Sequence, residues 1–384
     1  MKNKFILLTA IALAALPLRA EEAEGIKNEE AKPVFSVSGD VEAKADAYYK
    51  QVDPRTETNH QNNETQWLHD YSSTFNILFS VKFNDKWSAE AAISADDDNA
   101  APGFAYDGAF AQYTANDRLS IKIGDMTYAE GAFRYYDYDD TKDNAIGMRD
   151  HKIRGAEVDY GGLTIAAGLG RDDDDCGDSG TDSTDTRGCT TYDAHAAYTF
   201  EFGAQRIRPY VNYKSYQTEN GDALRAGVVA NLAFGDILNM QAVYGFFADG
   251  LKKDSPKASH TFAVEPELTL GRFSLKATAF YAILDDSDPT TIDVPEYMFA
   301  YIEPSFAVTD IFTLGLPVEY HAMSLDDDDD LGQVFIGPKA YLDATENLSF
   351  EAYARAFIPV GDDYKDLKAD DPYYGAGAKI DFTF

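Results

Sequence analysis

Carboxylates are the residues of this chain with the most chemistry to offer. They come in runs: Asp96 to Asp98, Asp172 to Asp175, Asp285, Asp286 and Asp288, Asp326 to Asp330, Asp362 and Asp363, Asp370 and Asp371. A longer stretch, Thr127 to Asp150, sets Glu130, Asp137, Asp139, Asp140 and Asp143 among Tyr128, Phe133, Arg134, Tyr135, Tyr136 and Tyr138. Crowded carboxylates concentrate cations, repel anions and nucleic acid, and supply the hard oxygen ligands that calcium and magnesium take. No run has the spacing of a calcium-binding loop with its closing Glu. The expectation is therefore solvated acidic segments that hold Ca2+ or Mg2+ loosely at most, with no assigned metal ligand and no cofactor.

One constellation has the appearance of catalysis. Gly177-Asp178-Ser179-Gly180, followed by His195, spells the nucleophile segment of trypsin-like proteases, but it is four small residues in a loop rich in those types. No upstream histidine segment accompanies it, and nothing pairs His151, His195, His260 or His321 with a serine as a phospholipase would require. Phosphate-cradling glycine loops, dinucleotide fingerprints and zinc spacings do not occur elsewhere. The chain reads as a non-enzyme.

What carries the acidic segments is a repeat. From Val34 to Phe384, stretches of about ten residues with every second one apolar alternate with breaks, and such a stretch is long enough to cross a bilayer as a tilted strand. In Ile311 to Tyr320 the apolar set is Phe312, Leu314, Leu316, Val318 and Tyr320, interleaved with Thr313, Gly315 and Glu319. Lipid offers no water to exposed backbone groups, so crossing strands must close into a barrel. The 45% hydrophobic content and the mean hydropathy of -0.37 look like those of a soluble protein. A barrel with a polar lumen has the same average, because lipid-facing and lumen-facing residues cancel over any window. The 25 Tyr and 24 Phe suit aromatic girdles at the two membrane interfaces, although they also suit the core of a sandwich.

The breaks alternate in size. Short ones lie at Asn84-Asp85-Lys86, Asn116-Asp117-Arg118, Gly161-Gly162, Gly203-Ala204, Gly235-Asp236, Gly271-Arg272, Thr309-Asp310 and Thr345-Glu346-Asn347, and each reads as a tight hairpin. The long acidic segments fall between them. Eight hairpins plus one strand at each end predict an all-β, transmembrane antiparallel β-barrel of about 18 strands, with 16 as the alternative. The short turns are periplasmic and the long acidic loops extracellular. Pro266, Pro304, Pro317 and Pro338 fall inside predicted neighbouring strands, so that wall should be irregular.

Both ends of the chain agree. Lys2 and Lys4 precede an apolar run from Phe5 to Leu16, and Leu18-Arg19-Ala20 offers a small residue for cleavage, which predicts a secretory signal peptide over residues 1–20. A periplasmic tail, 21–33, and the barrel, 34–384, follow. Without Lys2, Lys4 and Arg19 the chain keeps 30 of its 33 basic residues against 66 acidic ones, which takes the formal charge from -33 to -36. In an oxidising compartment Cys176 and Cys189, the only cysteines, should form a disulfide within one flexible loop, worth about 3 kcal/mol in the entropic picture. In the last strand Tyr374, Ala376, Ala378, Ile380, Phe382 and Phe384 alternate with Gly375, Gly377, Lys379, Asp381 and Thr383, and the chain stops on the aromatic.

That ending resembles the terminal strand of bacterial outer-membrane proteins, and the chain as a whole resembles the general and sugar porins of Gram-negative bacteria, with no subfamily motif. The resemblance places Ile380, Phe382 and Phe384 where the barrel-assembly machinery reads its signal, and makes outer-membrane lipid, solutes, ions and a homotrimer the expected partners. A barrel of this size encloses an aqueous channel. Lys122, Arg206, Arg208, Lys214 and Arg355 are among the charged residues that alternate with apolar neighbours and should face it. In general porins the third loop folds inward, which makes Thr127 to Asp150 the expected constriction, its acids facing bases such as Lys122, Arg206, Arg208 and Lys214. The expected function is passive diffusion of small hydrophilic solutes, with a preference for cations. A sugar-selective channel, suggested by Tyr210, Tyr216, Phe280, Tyr341 and Tyr353, and a surface adhesin or structural barrel are the alternatives.

Overall fold

The computed structural model describes residues 32–49, 67–98, 103–131, 133–135, 150–170, 191–215, 222–249, 251, 257–283, 296–324, 330–360 and 372–384. The leader, most of the tail, Cys176, Cys189 and the bulk of the acidic loops lie outside the described residues.

All described elements are strands. In chain order they are β1 (Val34–Tyr49), β2 (Trp67–Lys82), β3 (Trp87–Asp98), β4 (Gly103–Asn116), β5 (Leu119–Tyr128), β6 (His151–Tyr160), β7 (Leu163–Gly170), β8 (Tyr192–Tyr198, then Phe200–Phe202), β9 (Gln205–Ser215), β10 (Asp222–Phe234), β11 (Leu238–Asp249), β12 (Lys257–Leu270), β13 (Phe273–Ile283), β14 (Glu296–Ala307), β15 (Phe312–Gly315, then Val318–Ser324), β16 (Asp330–Ile336, then Lys339–Thr345), β17 (Leu348–Val360) and β18 (Tyr373–Thr383). The 21 segments make 18 strands, because β8, β15 and β16 are each interrupted once. Each strand pairs antiparallel with the next, and β18 returns to β1 from Asp40↔Thr383 to Tyr49↔Tyr374. The barrel is closed, and the predicted strand number holds.

All eight predicted hairpins are turns at one end of the barrel. Asparagine builds two of them. Asn84 Oδ1 accepts from the backbone N–H of Lys86 and Trp87 at 2.8 and 3.0 Å, and Asn116 Oδ1 does the same for Arg118 and Leu119 at 2.9 and 3.1 Å. Such a side-chain acceptor closes a turn that the backbone alone would leave open. At Gly161-Gly162 both residues have left-handed φ, 56° and 93°, as a two-residue hairpin that follows the twist of its strands requires.

The interruptions are where the prolines are. Leu316 N–H donates to Pro304 O at 3.0 Å, Gly337 N–H to Pro317 O at 3.4 Å, and Ala354 N–H to Pro338 O at 3.1 Å. These bonds step across β14, β15, β16 and β17, so each proline still accepts although it cannot donate. β15 breaks at Leu316-Pro317 and β16 at Gly337-Pro338, which is the expected irregular wall. A similar break in β8 falls at Thr199, beside Pro209 of β9 in the pairing.

Candidate functional site

Alternation along the strands sorts side chains between lumen and lipid. On β14, Tyr297, Phe299, Tyr301, Glu303 and Ser305 are buried and point inward, while Met298, Ile302 and Phe306 are exposed on the outer wall. The terminal strand follows the same rule. Ile380, Phe382 and Phe384 face outward, and Phe384 exchanges two 3.0 Å backbone hydrogen bonds with Gly39.

Past β5 the chain turns into the barrel rather than away from it. Gly131 makes the turn possible: its φ is +80°, and a Cβ there would come within 2.6 Å of a Val243 methyl on β11. Phe133 then packs edge-on against Phe280 of β13, with ring centres 5.4 Å apart. The Arg134 N–H donates to both oxygens of Glu265, at 2.9 and 3.1 Å, and the Tyr135 hydroxyl donates to Glu267 at 3.0 Å. Glu265 also accepts from Thr278 Oγ1 at 2.9 Å and from Gln241 Nε2 at 3.2 Å. A carboxylate this deeply buried survives only when its lone pairs are used, and here four contacts from two strands and the loop use them. Burial and the bond to Glu267 hold the Tyr135 phenol well above its ordinary range.

The start of the segment is held by charge. Glu130 pairs with Arg208 of β9 at 2.9 Å, and Arg208 also donates to Thr199 Oγ1 at 3.0 Å. His195 stacks on Tyr128 with ring centres 3.8 Å apart, and its Nδ1 lies 2.6 Å from Asn212 Oδ1. The apolar floor under the loop consists of Tyr210, Val229, Val243, Phe280, Tyr297 and Phe299, with Phe133 and Tyr135 packed against them.

The bases selected from the sequence part company. Arg208 lies against Glu130 at the start of the third loop. Lys122 instead pairs along the wall with Glu157, at 2.8 Å, and Glu157 also accepts from Tyr128 at 2.6 Å. Arg206 is exposed near the Gly203-Ala204 turn, and Lys214 is buried in the wall. Arg355 lies on the far wall, 4.0 Å from Glu319, with its guanidinium over Tyr353 and Phe357. Asp137, Asp139, Asp140 and Asp143 lie outside the described residues.

Opposite the loop, β16 to β18 and β1 carry paired charges: Lys339 with Glu351 at 2.7 Å, Lys379 with Glu42 at 2.5 Å, and Lys44 with Asp46 at 3.1 Å. Tyr341 donates to Glu303, and Tyr353 to Asp46. Two of the aromatics that suggested sugar stacking, Tyr210 and Phe280, are buried beneath the loop, and the face of Tyr341 is covered by Lys339 at 4.6 Å. The loop anchors Glu265 and Glu267 carry no local mark beyond being inward acids on either side of Pro266. Among the described residues no cluster of His, Cys, Asp and Glu is placed to hold a metal ion.

None of the curated proteins compared with the chain matches it. Among solved structures, OpdL of Pseudomonas aeruginosa is similar with a TM-score of 0.56 at 11% identity, over 91% of this chain and 98% of that one. A BenF-like porin from Pseudomonas fluorescens Pf-5 gives the same four values, 0.56, 11%, 91% and 98%. The trimer form of OmpT, an outer membrane protein of Vibrio cholerae, reaches 0.54 at 10% identity over 92% of this chain and all of that one. At these identities the likeness is one of fold. The sequence itself goes further, since residues 7–303 match the family described as Gram-negative porin. A closed 18-strand barrel with charged residues inside and apolar ones outside, joined to that match over most of its length, makes this chain a member of the Gram-negative porins, an outer-membrane channel for small solutes.

Proposed function

We propose that the channel admits small hydrophilic solutes by passive diffusion, prefers cations, and is narrowed by its third loop. The observation that carries this is the docking of Gly131 to Tyr135 across the lumen onto Glu265, Glu267 and Phe280. A segment fixed against that wall reduces the free cross-section from one side. Field strength and width at such a narrowing select solutes by charge and size. The cation preference rests on the excess of 66 acidic over 33 basic residues and on their concentration in the long connections. Asp137, Asp139, Asp140 and Asp143, in the continuation of the docked segment, belong to this proposal, as does the disulfide between Cys176 and Cys189. Family membership supports a reading without catalysis, and the burial of Tyr210 and Phe280 disfavours a sugar-stacking track.

The purified chain in a planar bilayer tests this directly. Stepwise conductance and a zero-current potential of the sign for cation selectivity in a salt gradient are expected. A silent membrane would remove the channel, and the opposite sign would remove the preference.

A further inference from the structure

The outer wall breaks its own rule at one place. Outward positions on β5 read Leu119, Ile121, Ile123, then Asp125, and on β6 they read Lys152, Arg154, Ala156, Val158. Every other Lys or Arg of the strands whose side chain is described occupies an inward position of the alternation. The exceptions are therefore two neighbouring bases on the lipid side of a chain whose formal charge is -33.

The arrangement is built. Arg154 Nε donates to Asp125 Oδ1 at 2.6 Å and Nη2 to Oδ2 at 3.3 Å, while Asp125 also accepts from the Tyr106 hydroxyl at 2.7 Å and from the Ala109 N–H at 3.2 Å. The last of these replaces a ladder bond, because the pairing of β4 with β5 stops at Phe110↔Gly124. The Asp125 side chain is 4% exposed and that of Arg154 57%, so the acid is a buried clamp and the guanidinium is presented outward. Its Nη1 edge has no protein partner among the described residues, and neither has the Lys152 ammonium, two positions nearer the long-loop end. Tyr106 and Tyr192, both exposed on the same face, supply the amphipathic rings that settle at a membrane interface.

We propose that Lys152 and Arg154 bind a phosphate group on the headgroup of an outer-leaflet glycolipid. Charge on the lipid face is unfavourable unless it is met, and Asp125 balances only one of the two bases. A clamped guanidinium offers its free edge to two phosphate oxygens, and a lysine beside it adds a point charge. The long-loop end of the barrel is the outward end, where such headgroups lie. A second copy of the chain pressed against this wall would bring the alternating apolar set of another strand and leave Lys152 without a counter-ion. The site is on the outside of the barrel and does not depend on how the lumen selects solutes.

The test uses the full chain, delipidated in detergent, with a bisphosphorylated glucosamine disaccharide lipid, its dephosphorylated form, and inorganic phosphate as probes. Lipid phosphorus retained per barrel after gel filtration and the shift in melting temperature are read. Wild type should retain the phosphorylated lipid and be stabilised by it, with at least tenfold weaker binding of the other two. Combining Lys152→Gln with Arg154→Gln and Asp125→Asn should reduce binding about tenfold, with single-channel conductance unchanged. Should that variant fail to fold, Lys152→Gln alone, which removes no internal contact, should still weaken binding severalfold. Equal binding by wild type and variants would overturn the proposal, as would equal competition by inorganic phosphate. Retained lipid with loss of oligomers would assign the patch to a second copy and overturn it as well.

Discussion

At the scale of single residues, Glu265 shows how a buried charge can organise a channel. Its carboxylate accepts from the Arg134 backbone, Thr278 and Gln241 at once, so the wall holds it in place as the anchor to which the third loop docks. Glu265→Ala strands those donors in the wall and should cost about 1–3 kcal/mol for a lost buried acceptor. Urea unfolding in micelles should show that loss, and single-channel records should show larger and noisier currents as the loop detaches. A stable variant with unchanged current would mean that the loop is held elsewhere. Nothing in the sequence singles this residue out. Glu265 is 131 positions from its donor and looks like any other inward acid, because its partner is chosen by the curvature of the wall. Glu130 and Arg208 were legible as inward charges of opposite sign, whereas Lys122 was drawn off by Glu157, one strand away and directly in register.

At the scale of elements, most of the wall could be read because period two and turn chemistry are local. Six of the eight turns fall where asparagine or glycine closes a hairpin, and in the other two the hydroxyls of Thr309 and Thr345 accept from the N–H of Ile311 and Asn347. The prolines behaved differently: their irregularity was visible, but their alignment into one line across β14 to β17 follows only from strand register. Two glycines separate the causes of strain along such strands. At Gly337, next to Pro338, an added Cβ would collide with the Ala354 carbonyl oxygen, so Gly337→Ala should destabilise the barrel by about 1–3 kcal/mol, as overpacking does. At Gly203 the space is empty and only the left-handed φ of 64° objects, so Gly203→Ala should cost about 1 kcal/mol. Melting temperatures of the two variants, measured side by side, should fall in that order; the reverse order would refute the assignment.

At the scale of the whole molecule, closure depends on the final residues. Replacing both Phe382 and Phe384 by Ser puts two hydroxyls on the lipid face beside the seam and should lower the amount of assembled barrel several-fold, with the unfolded chain accumulating. Gel mobility before and after heating distinguishes the two forms, and an unchanged ratio would show that the terminal aromatics are dispensable. The buried apolar floor belongs to this scale too. A barrel of this width is expected to be hollow, yet one sector is filled by Phe133 and Tyr135 lying on Tyr210 and Phe280. Strand count alone does not foretell that asymmetry.

The reciprocal bonds between Gly39 and Phe384 have a consequence for assembly. Hairpins between neighbouring strands can zip as soon as both have reached the outer membrane, but the first strand must wait for the last before its other margin finds a mate. Throughout that interval the growing sheet has two raw margins able to accept a stray strand. The join itself bridges almost the full contour of the polypeptide, the slowest kind of contact to find. A free peptide copying the final dozen residues would compete for the waiting margin, and its potency would report how long the margin stays open.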